Sequence, residues 1–462
     1  MKIINVKVNK LYKYISTELN FLNDLSIITG VNGSGKTQIL RLIDAVLALD
    51  IDYIEKVDFS KFSLTFEHDG ANFAIDILKK IDKIWFRINS DTITTIRSSD
   101  LTAIFNREIS IRETFIKEYQ KNITENTNSD FKVFSKIKRP LFLGLTRLVK
   151  SAEETNILKN KSDLKKEYWR KGRLVEGATS NNEPMQKSVL HSKLLILEEY
   201  EQIKRYEDAQ SNVLRNNIIT SSFDYLEDGF PSYNKLIEKL NSVYYRKGSI
   251  IEELEKLKIN DYQMHNKINR FFEKMDRIKS SYEEKPDSKK STFDDLAFEL
   301  LLNLSQIERV SKIISIIDEH KKVMDVKREK FDSFTRTVNK FFELTNKKIV
   351  INNLGQTYVV VNEKHKVNLE NLSSGEMQLI SIIANMVFCK NNNKGLIVII
   401  DEPEISLHIK WQEMFIATLE SIKKDAQLIL ATHSPDIIGD NTDFCLPIRN
   451  NNQKDVKVKT NE

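Results

Sequence analysis

The stretch Leu25–Ile43, LSIITGVNGSGKTQILRLI, sets an apolar run, a glycine-rich turn and a helix-periodic segment in immediate succession. Its centre, Gly30-Val31-Asn32-Gly33-Ser34-Gly35-Lys36-Thr37, fits the pattern GxxxxGK[ST]. Glycine is scarce in this chain, 13 of 462 residues, yet three fall between positions 30 and 35, which argues against a chance turn. Glycines let the backbone wrap close to a phosphate with its N–H groups pointing inward. The helix that follows adds the positive end of its dipole. Lys36 is placed to reach the β- and γ-phosphates and Thr37 to ligate Mg²⁺. Gly30, Asn32, Gly33, Ser34, Gly35, Lys36, Thr37 and Gln38 form the candidate nucleotide-binding set, with ATP and Mg²⁺ the expected ligands.

Three more motifs lie far downstream. Leu396–Ile400 is an apolar run ending in Asp401-Glu402, which describes a buried strand with two carboxylates at its tip. Asp401 is the second candidate Mg²⁺ ligand, and Glu402 the candidate general base that polarises water. Alone, a strand followed by an acidic Asp-Glu-Pro turn would read the same way. Leu372-Ser373-Ser374-Gly375-Glu376 is, by itself, a capping box, with Ser373 at the N-cap and Glu376 three residues on. The same helix start could offer the Ser374 hydroxyl and the Gly375 N–H to a phosphate. Ser373 and Glu376 complete that candidate set. His433, in Ala431-Thr432-His433-Ser434-Pro435, directly follows another apolar run; a lone histidine there is commonly structural, but beside the other motifs it becomes a candidate γ-phosphate sensor and catalytic residue.

The flanking sequence sorts into three parts. Residues 1–30 read as two strands, KIINVKV and LSIITG, and 36–49 as a helix. Several short runs rich in Phe, Ile and Val between 57 and 97, one pair joined by His-Asp-Gly, read as an antiparallel subdomain. Residues 139–148 read as a strand returning to the core. From about 150 to 345 glycine thins out and Lys, Glu, Leu and Ile dominate. Long helices with broken heptads are expected over 190–215, 233–283 and 294–345, forming a partly coiled-coil, projecting arm or a compact helical domain. Strands return with the hairpin pattern of 347–361, followed by a helix (374–390), a strand, a helix (408–422) and a strand. The expected architecture is therefore an α/β head, 1–150 and 346–462, with an antiparallel β subdomain, interrupted by a helical insertion at 151–345.

Composition limits the alternatives. A chain with 40% hydrophobic and 30% charged residues fits a folded protein with charge-rich helices. The net charge of +5 is too mild to argue nucleic-acid binding by itself. Its two cysteines, Cys389 and Cys445, stand far apart, which disfavours a disulfide framework or a zinc site. No apolar leader or membrane-length run is evident, so a cytoplasmic location and no membrane partner are expected.

The order of the motifs, phosphate loop, LSSGE, Asp-Glu and His, resembles that of the ATP-binding-cassette ATPases. Ser374 to Asp401 is 27 residues and Asp401 to His433 is 32, but Thr37 to Ser374 is 337. Transporter cassettes keep that last interval far shorter; a long helical insertion there is similar to the SMC, RecF and OLD branch. The phrase Asp401-Glu402-Pro403-Glu404-Ile405-Ser406-Leu407-His408 further resembles the stand-alone ATPases of bacterial anti-phage systems such as Septu and PARIS. The resemblance covers about 1–150 and 335–445. It implies a head-to-head dimer or higher oligomer, with Ser374 of one subunit facing the phosphate loop of the other.

Departures from the family pattern accompany it. His408 stands where transporter cassettes usually carry an aspartate. No Q-loop glutamine is evident, and Thr146 and Arg147 are possible replacements. The insertion has no zinc hook. OLD nucleases carry a C-terminal Toprim domain, for which the stretch after His433 is too short, so a nuclease effector is expected on a separate protein. The resemblance thus implies an ATP-hydrolysing switch or scaffold of an anti-phage complex. The alternative is a RecF- or SMC-like repair or chromosome ATPase that binds DNA. A non-catalytic ATP-binding module is disfavoured by Glu402.

Overall fold

A computed structural model of the chain describes residues 1–80, 83–89, 92–97, 137, 139–144, 149–150, 184–221, 238, 241–248, 262–283, 290–388, 395–422 and 425–448. Thr146, Arg147 and Cys389 lie outside the described residues. Two compact units divide the chain: Met1–Glu198 with Ser333–Glu462, and Glu199–Asp332.

The first unit holds three sheets. An antiparallel sheet takes β1 (Lys2–Leu11), β2 (Ile15–Asn20), β4 (Lys61–His68), β5 (Ala71–Lys80), β6 (Lys83–Ile88) and β7 (Thr92–Arg97) in the order β2-β1-β4-β5-β6-β7. The His-Asp-Gly signal marks the β4–β5 turn, where Asp69 and Gly70 both have positive φ. The expected two strands over residues 1–30 are three, because β1 and β2 are split by a turn that has no Gly or Pro to announce it. Tyr12 and Lys13 adopt φ values of 49° and 75° there. Tertiary contact holds them, since Tyr12 N donates to Asp58 O at 2.8 Å.

The second sheet is the parallel one, with β3 (Leu25–Thr29), β8 (Leu141–Leu143), β9 (Val149–Lys150), β13 (Ile397–Asp401), β14 (Gln427–Ala431) and β15 (Cys445–Pro447). Their order is β15-β3-β14-β13-β8-β9, and only the β8–β9 pairing is antiparallel. β13 and β14 are buried at every residue, as expected of strands covered on both faces. Helix α1 (Lys36–Leu47) lies in the core that joins the two sheets. Its Leu40, Ile43 and Val46 cluster with Phe62 and Phe66 of the antiparallel sheet and Ile399 and Ile429 of the parallel one. Full burial of such a side chain is worth about 1.5–3 kcal/mol, so this cluster is the main anchor of α1. A short helix, α2 (Ile51–Lys56), follows it. The third sheet, β10 (Lys347–Ile351), β11 (Thr357–Val361) and β12 (His365–Asn368), extends the expected hairpin by one strand.

Among the described residues the insertion contains the long helices α3 (Pro184–Ser221), α4 (Tyr262–Glu283) and α5 (Lys290–Phe342). At 53 residues, α5 runs about 80 Å. Within the second unit, α3 and α5 are neighbours. Lys330 Nζ lies 2.9 Å from Glu199 Oε1, and the rings of Tyr200 and Phe331 meet edge to face at 6.1 Å. These pairs are exposed enough to set register more than stability.

After the third sheet come α6 (Ser374–Phe388), α7 (Ile409–Glu413), α8 (Phe415–Ile422) and α9 (Pro435–Ile438). The single helix expected over 408–422 breaks at Met414, the C-cap of α7. No helix among the described residues is long and apolar enough to cross a membrane.

Candidate functional site

Parallel pairing brings three loop starts to one edge. Ala431 at the end of β14 pairs with Ile28 of β3 on one side and Asp401 of β13 on the other. The chain then leaves the sheet as the glycine loop, as Glu402, and as Thr432-His433. The carboxyl ends of parallel strands are where α/β sheets bind ligands.

In the glycine loop, Gly33 and Gly35 have φ of 83° and 92°, which a side chain would strain. A Cβ at Gly35 would also press on Ile15 Cδ1 at 3.0 Å. Gly35 is the N-cap of α1, no side chain caps this helix end, and its first turn carries no acidic residue. Its N–H groups are thus left for an anion. Lys36 is 5% exposed, and its Nζ donates to Gly30 O at 2.7 Å and to Val31 O at 3.3 Å. A buried ammonium resting on two loop carbonyls is a cation awaiting a counter-charge. Ser34 Oγ is buried with no hydrogen-bond partner among the described residues, whereas Asn32 and Gly33 are exposed. Gln38 accepts from Tyr53 OH at 2.7 Å; burial pushes the Tyr53 hydroxyl up to about 12, so it remains a donor.

Thr37 Oγ1 donates to Asp401 Oδ1 at 3.1 Å, joining residues 364 apart in sequence. Asp401 Oδ2 is buried and has no hydrogen-bond partner among the described residues. An orphaned carboxylate oxygen beside a threonine hydroxyl is a hard-oxygen pair that fits Mg²⁺. Burial pushes Asp401 up to about 6, aided by Glu402 and opposed by the Thr37 hydroxyl, Arg41 and Lys36.

The sign of that shift gives a stability prediction. A raised carboxyl penalises the folded state when ionised: the cost is absent well below pH 4, grows towards pH 6 and is complete above it. Asp401→Asn is therefore expected to stabilise the nucleotide-free protein at pH 7.5 by up to about 3 kcal/mol, read as a higher thermal midpoint. The gap to wild type should close near pH 4. A variant less stable than wild type at pH 7.5 would contradict this account.

Glu402 has φ of 48°, the left-handed region, and its N donates to Ala431 O at 2.8 Å. His433 is half-exposed; its backbone N and its Nδ1 each lie 3.0 Å from Glu404 Oε1. The LSSGE segment forms the capping box in full. Ser373 N and Oγ both donate to Glu376 Oε2 at 2.9 Å, and Glu376 N donates to Ser373 Oγ at 3.4 Å. Lys347 Nζ donates to Glu376 Oε1 at 2.6 Å. Burial disfavours the Glu376 carboxylate, but the hydrogen bonds from Lys347 and Ser373 outweigh it and hold this group below the usual range. These bonds run among the segment's own residues and to Lys347, and Ser374 is half-buried, with no bond from its hydroxyl among the described residues. Gly375 is needed for space, because a side-chain carbon there would collide with the carbonyl oxygen of Ser406.

Several supporting contacts were not legible beforehand. Arg139 makes a two-pronged ion pair with buried Asp44, Nε to Oδ1 at 2.9 Å and Nη2 to Oδ2 at 2.7 Å, tying α1 to the chain entering β8. Trp411 Nε1 donates to Phe341 O at 3.0 Å, and its ring packs on Phe341 and Phe342 at the end of α5. His408, the departure from the transporter pattern, is the N-cap of α7, its Nδ1 accepting from Lys410 N at 3.3 Å.

Comparison with known proteins places these features in a family. The chain is 24% identical over 267 residues to the retron Vc95 probable ATPase of Vibrio cholerae, covering 52% of this chain and 49% of that protein. It is 25% identical over 281 residues to the DNA double-strand break repair Rad50 ATPase of Methanococcus maripaludis, covering 56% of this chain and 27% of that one. The matches thus span about half or less of these relatives' lengths. Among solved structures, the Smc head domain of Pyrococcus furiosus, with an extended coiled coil and bound to the C-terminal domain of ScpA, overlaps 97% of this chain and 94% of its own. Identity is 12% and the TM-score 0.39. The SMC head domain of Thermotoga maritima overlaps 95% and 91%, with 12% identity and a TM-score of 0.35. Residues 1–438, nearly the whole chain, match the AAA ATPase domain, and the chain belongs to that family.

Proposed function

We propose that this chain is an ATP-hydrolysing switch or scaffold subunit of a bacterial anti-phage defence complex, in which paired heads control a separate effector, a nuclease. The observation that carries the ATPase part is the single sheet edge shared by the glycine loop, Asp401-Glu402 and His433. There the loop N–H groups and Lys36 bind the triphosphate. Glu402 orients the attacking water and accepts its proton, and His433 contacts the γ-phosphate. Thr37 and Asp401 would hold Mg²⁺, which would supply charge neutralisation on the phosphates. The Ser374 hydroxyl, with no bond among the described residues, supports a role for LSSGE in trans, on the nucleotide of a second head.

Support for the defence role comes from the Asp401–His408 phrase and from the likeness to a retron's probable ATPase. The likeness to a Rad50 ATPase favours a second reading, a DNA-bound repair ATPase. Co-expression with the neighbouring genes, purification in MgATP and mass spectrometry of what co-elutes separates them. A co-eluting nuclease or other toxic effector supports the first. Duplex DNA that co-purifies and is lost steeply with salt, with no protein partner, puts the second in its place.

A further inference from the structure

The proposed hydrolysis uses Glu402 and His433 and leaves Glu404 unassigned. Yet Glu404 is the group that holds His433. One carboxylate oxygen, Oε1, lies 3.0 Å from both the backbone N and the Nδ1 of His433. The Glu404 side chain is 9% exposed and that of His433 51%, so the carboxylate is the fixed member and the ring the held one. Its own backbone is pinned as well: Glu404 O accepts from Leu407 N at 3.1 Å and from Gln412 Nε2 at 3.5 Å. Gln412 in turn accepts from Ser434 Oγ at 2.7 Å, closing a loop of bonds around the His433 backbone.

A turn-stabilising role alone does not account for this placement. The second oxygen of Glu404, Oε2, is buried and has no hydrogen-bond partner among the described residues. Burying a carboxylate with one oxygen unmatched costs stability, and an amide or a shorter side chain could serve the turn with less penalty. A carboxylate oxygen accepts, so for the 3.0 Å contact to act as a hydrogen bond the imidazole brings the hydrogen on Nδ1. That leaves Nε2 as the ring's remaining polar atom, on a half-exposed side chain at the loop edge of the parallel sheet.

We infer that Glu404 is the positioning residue for His433, fixing the ring as the Nδ1–H tautomer so that Nε2 is the atom offered to the phosphate. This rests on the reading of His433 as the γ-phosphate contact. Carboxylates behind functional histidines elsewhere act in this way, and removing one typically costs about 10–100-fold in activity.

The test uses the full chain. Glu404→Ala is expected to lower kcat for ATP by about 10–100-fold while leaving the affinity for a fluorescent ATP analogue unchanged. Glu404→Gln keeps an acceptor oxygen at the same reach and should recover most of that turnover. Nitrogen-15 NMR of histidine-labelled protein in mildly alkaline buffer reads the tautomer directly, with the His433 signal assigned by its loss in His433→Gln. Wild type and Glu404→Gln should show the Nδ1–H form, and Glu404→Ala a shift towards Nε2–H. An Nε2–H ring in wild type, wild-type turnover in Glu404→Ala, or a Gln variant no better than Ala would each overturn the assignment. Failure of the wider ATPase reading is distinguishable, because Glu402→Gln would then also turn over normally, whereas the NMR measurement reports on Glu404 regardless. If the Ala variant does not fold, the wild-type tautomer and the Gln variant still decide.

Discussion

Lys36→Ala is expected to weaken ATP binding by roughly thirtyfold to several thousandfold. The Lys36 ammonium is buried and rests on the carbonyls of Gly30 and Val31. Those carbonyls are weak substitutes for phosphate oxygens, and the group is already desolvated, so its attraction to an arriving triphosphate is little screened. Removing one member of such a buried charge pair costs about 2–5 kcal/mol, which at 1.4 kcal/mol per tenfold spans roughly thirtyfold to several thousandfold. The remaining contacts, the uncapped start of α1 and the loop N–H groups, do not replace the lost ammonium charge. Titration with a fluorescent ATP analogue measures the loss, and an unchanged melting temperature shows that the head is still folded. Near-normal affinity would remove the glycine loop from nucleotide binding.

The elements that proved legible in the sequence share a physical feature: each is fixed by local chemistry. The glycine loop is readable because Gly33 and Gly35 adopt φ values that other residues avoid. β13 and β14 are readable because strands covered on both faces must be apolar throughout. The capping box at Ser373 and Glu376 is readable because its bonds span three residues. The sequence order of the motifs then predicted the head. By contrast, what remained hidden depends on distant partners. The Tyr12–Tyr14 turn is held by Asp58, and nothing in LYKYIS announces it. Arg139 and Asp44 are 95 residues apart, and Trp411 finds its acceptor 70 residues upstream. Glu404 was visible as a letter in the Asp401–His408 phrase, but its bond to His433 crosses from one strand end to the next and has no local signature.

The Trp411 contact also ties the loop after β13 to the last turn of α5 within the first unit. Asp401-Glu402 runs through Glu404 into α7, and α7 is bolted by Trp411 to the last turn of α5. If the proposed switch operates, a displacement of the Glu402–His408 turn would meet this packed aromatic contact at the end of α5.

Glu402→Gln is the other large effect. Glu402 sits in the left-handed region at φ 48°, a conformation that costs a non-glycine residue about 1–2 kcal/mol. A glycine would occupy it with less strain, so the carboxylate is kept there against the backbone's preference, as occurs at functional sites. Glutamine preserves the size, the backbone and most hydrogen bonds, and removes only the ability to accept a proton from water. Turnover is expected to fall by about 10²–10⁴-fold, with ATP affinity retained because Lys36 and the loop are untouched. If hydrolysis is what reopens paired heads, the variant should also accumulate as a larger assembly in MgATP, seen by light scattering, and return to the smaller species when ATP is withdrawn. Slow turnover without the larger assembly would keep Glu402 as the base and discard the closed pair. Unchanged turnover would move the base elsewhere and leave the strain at this position without a chemical reason.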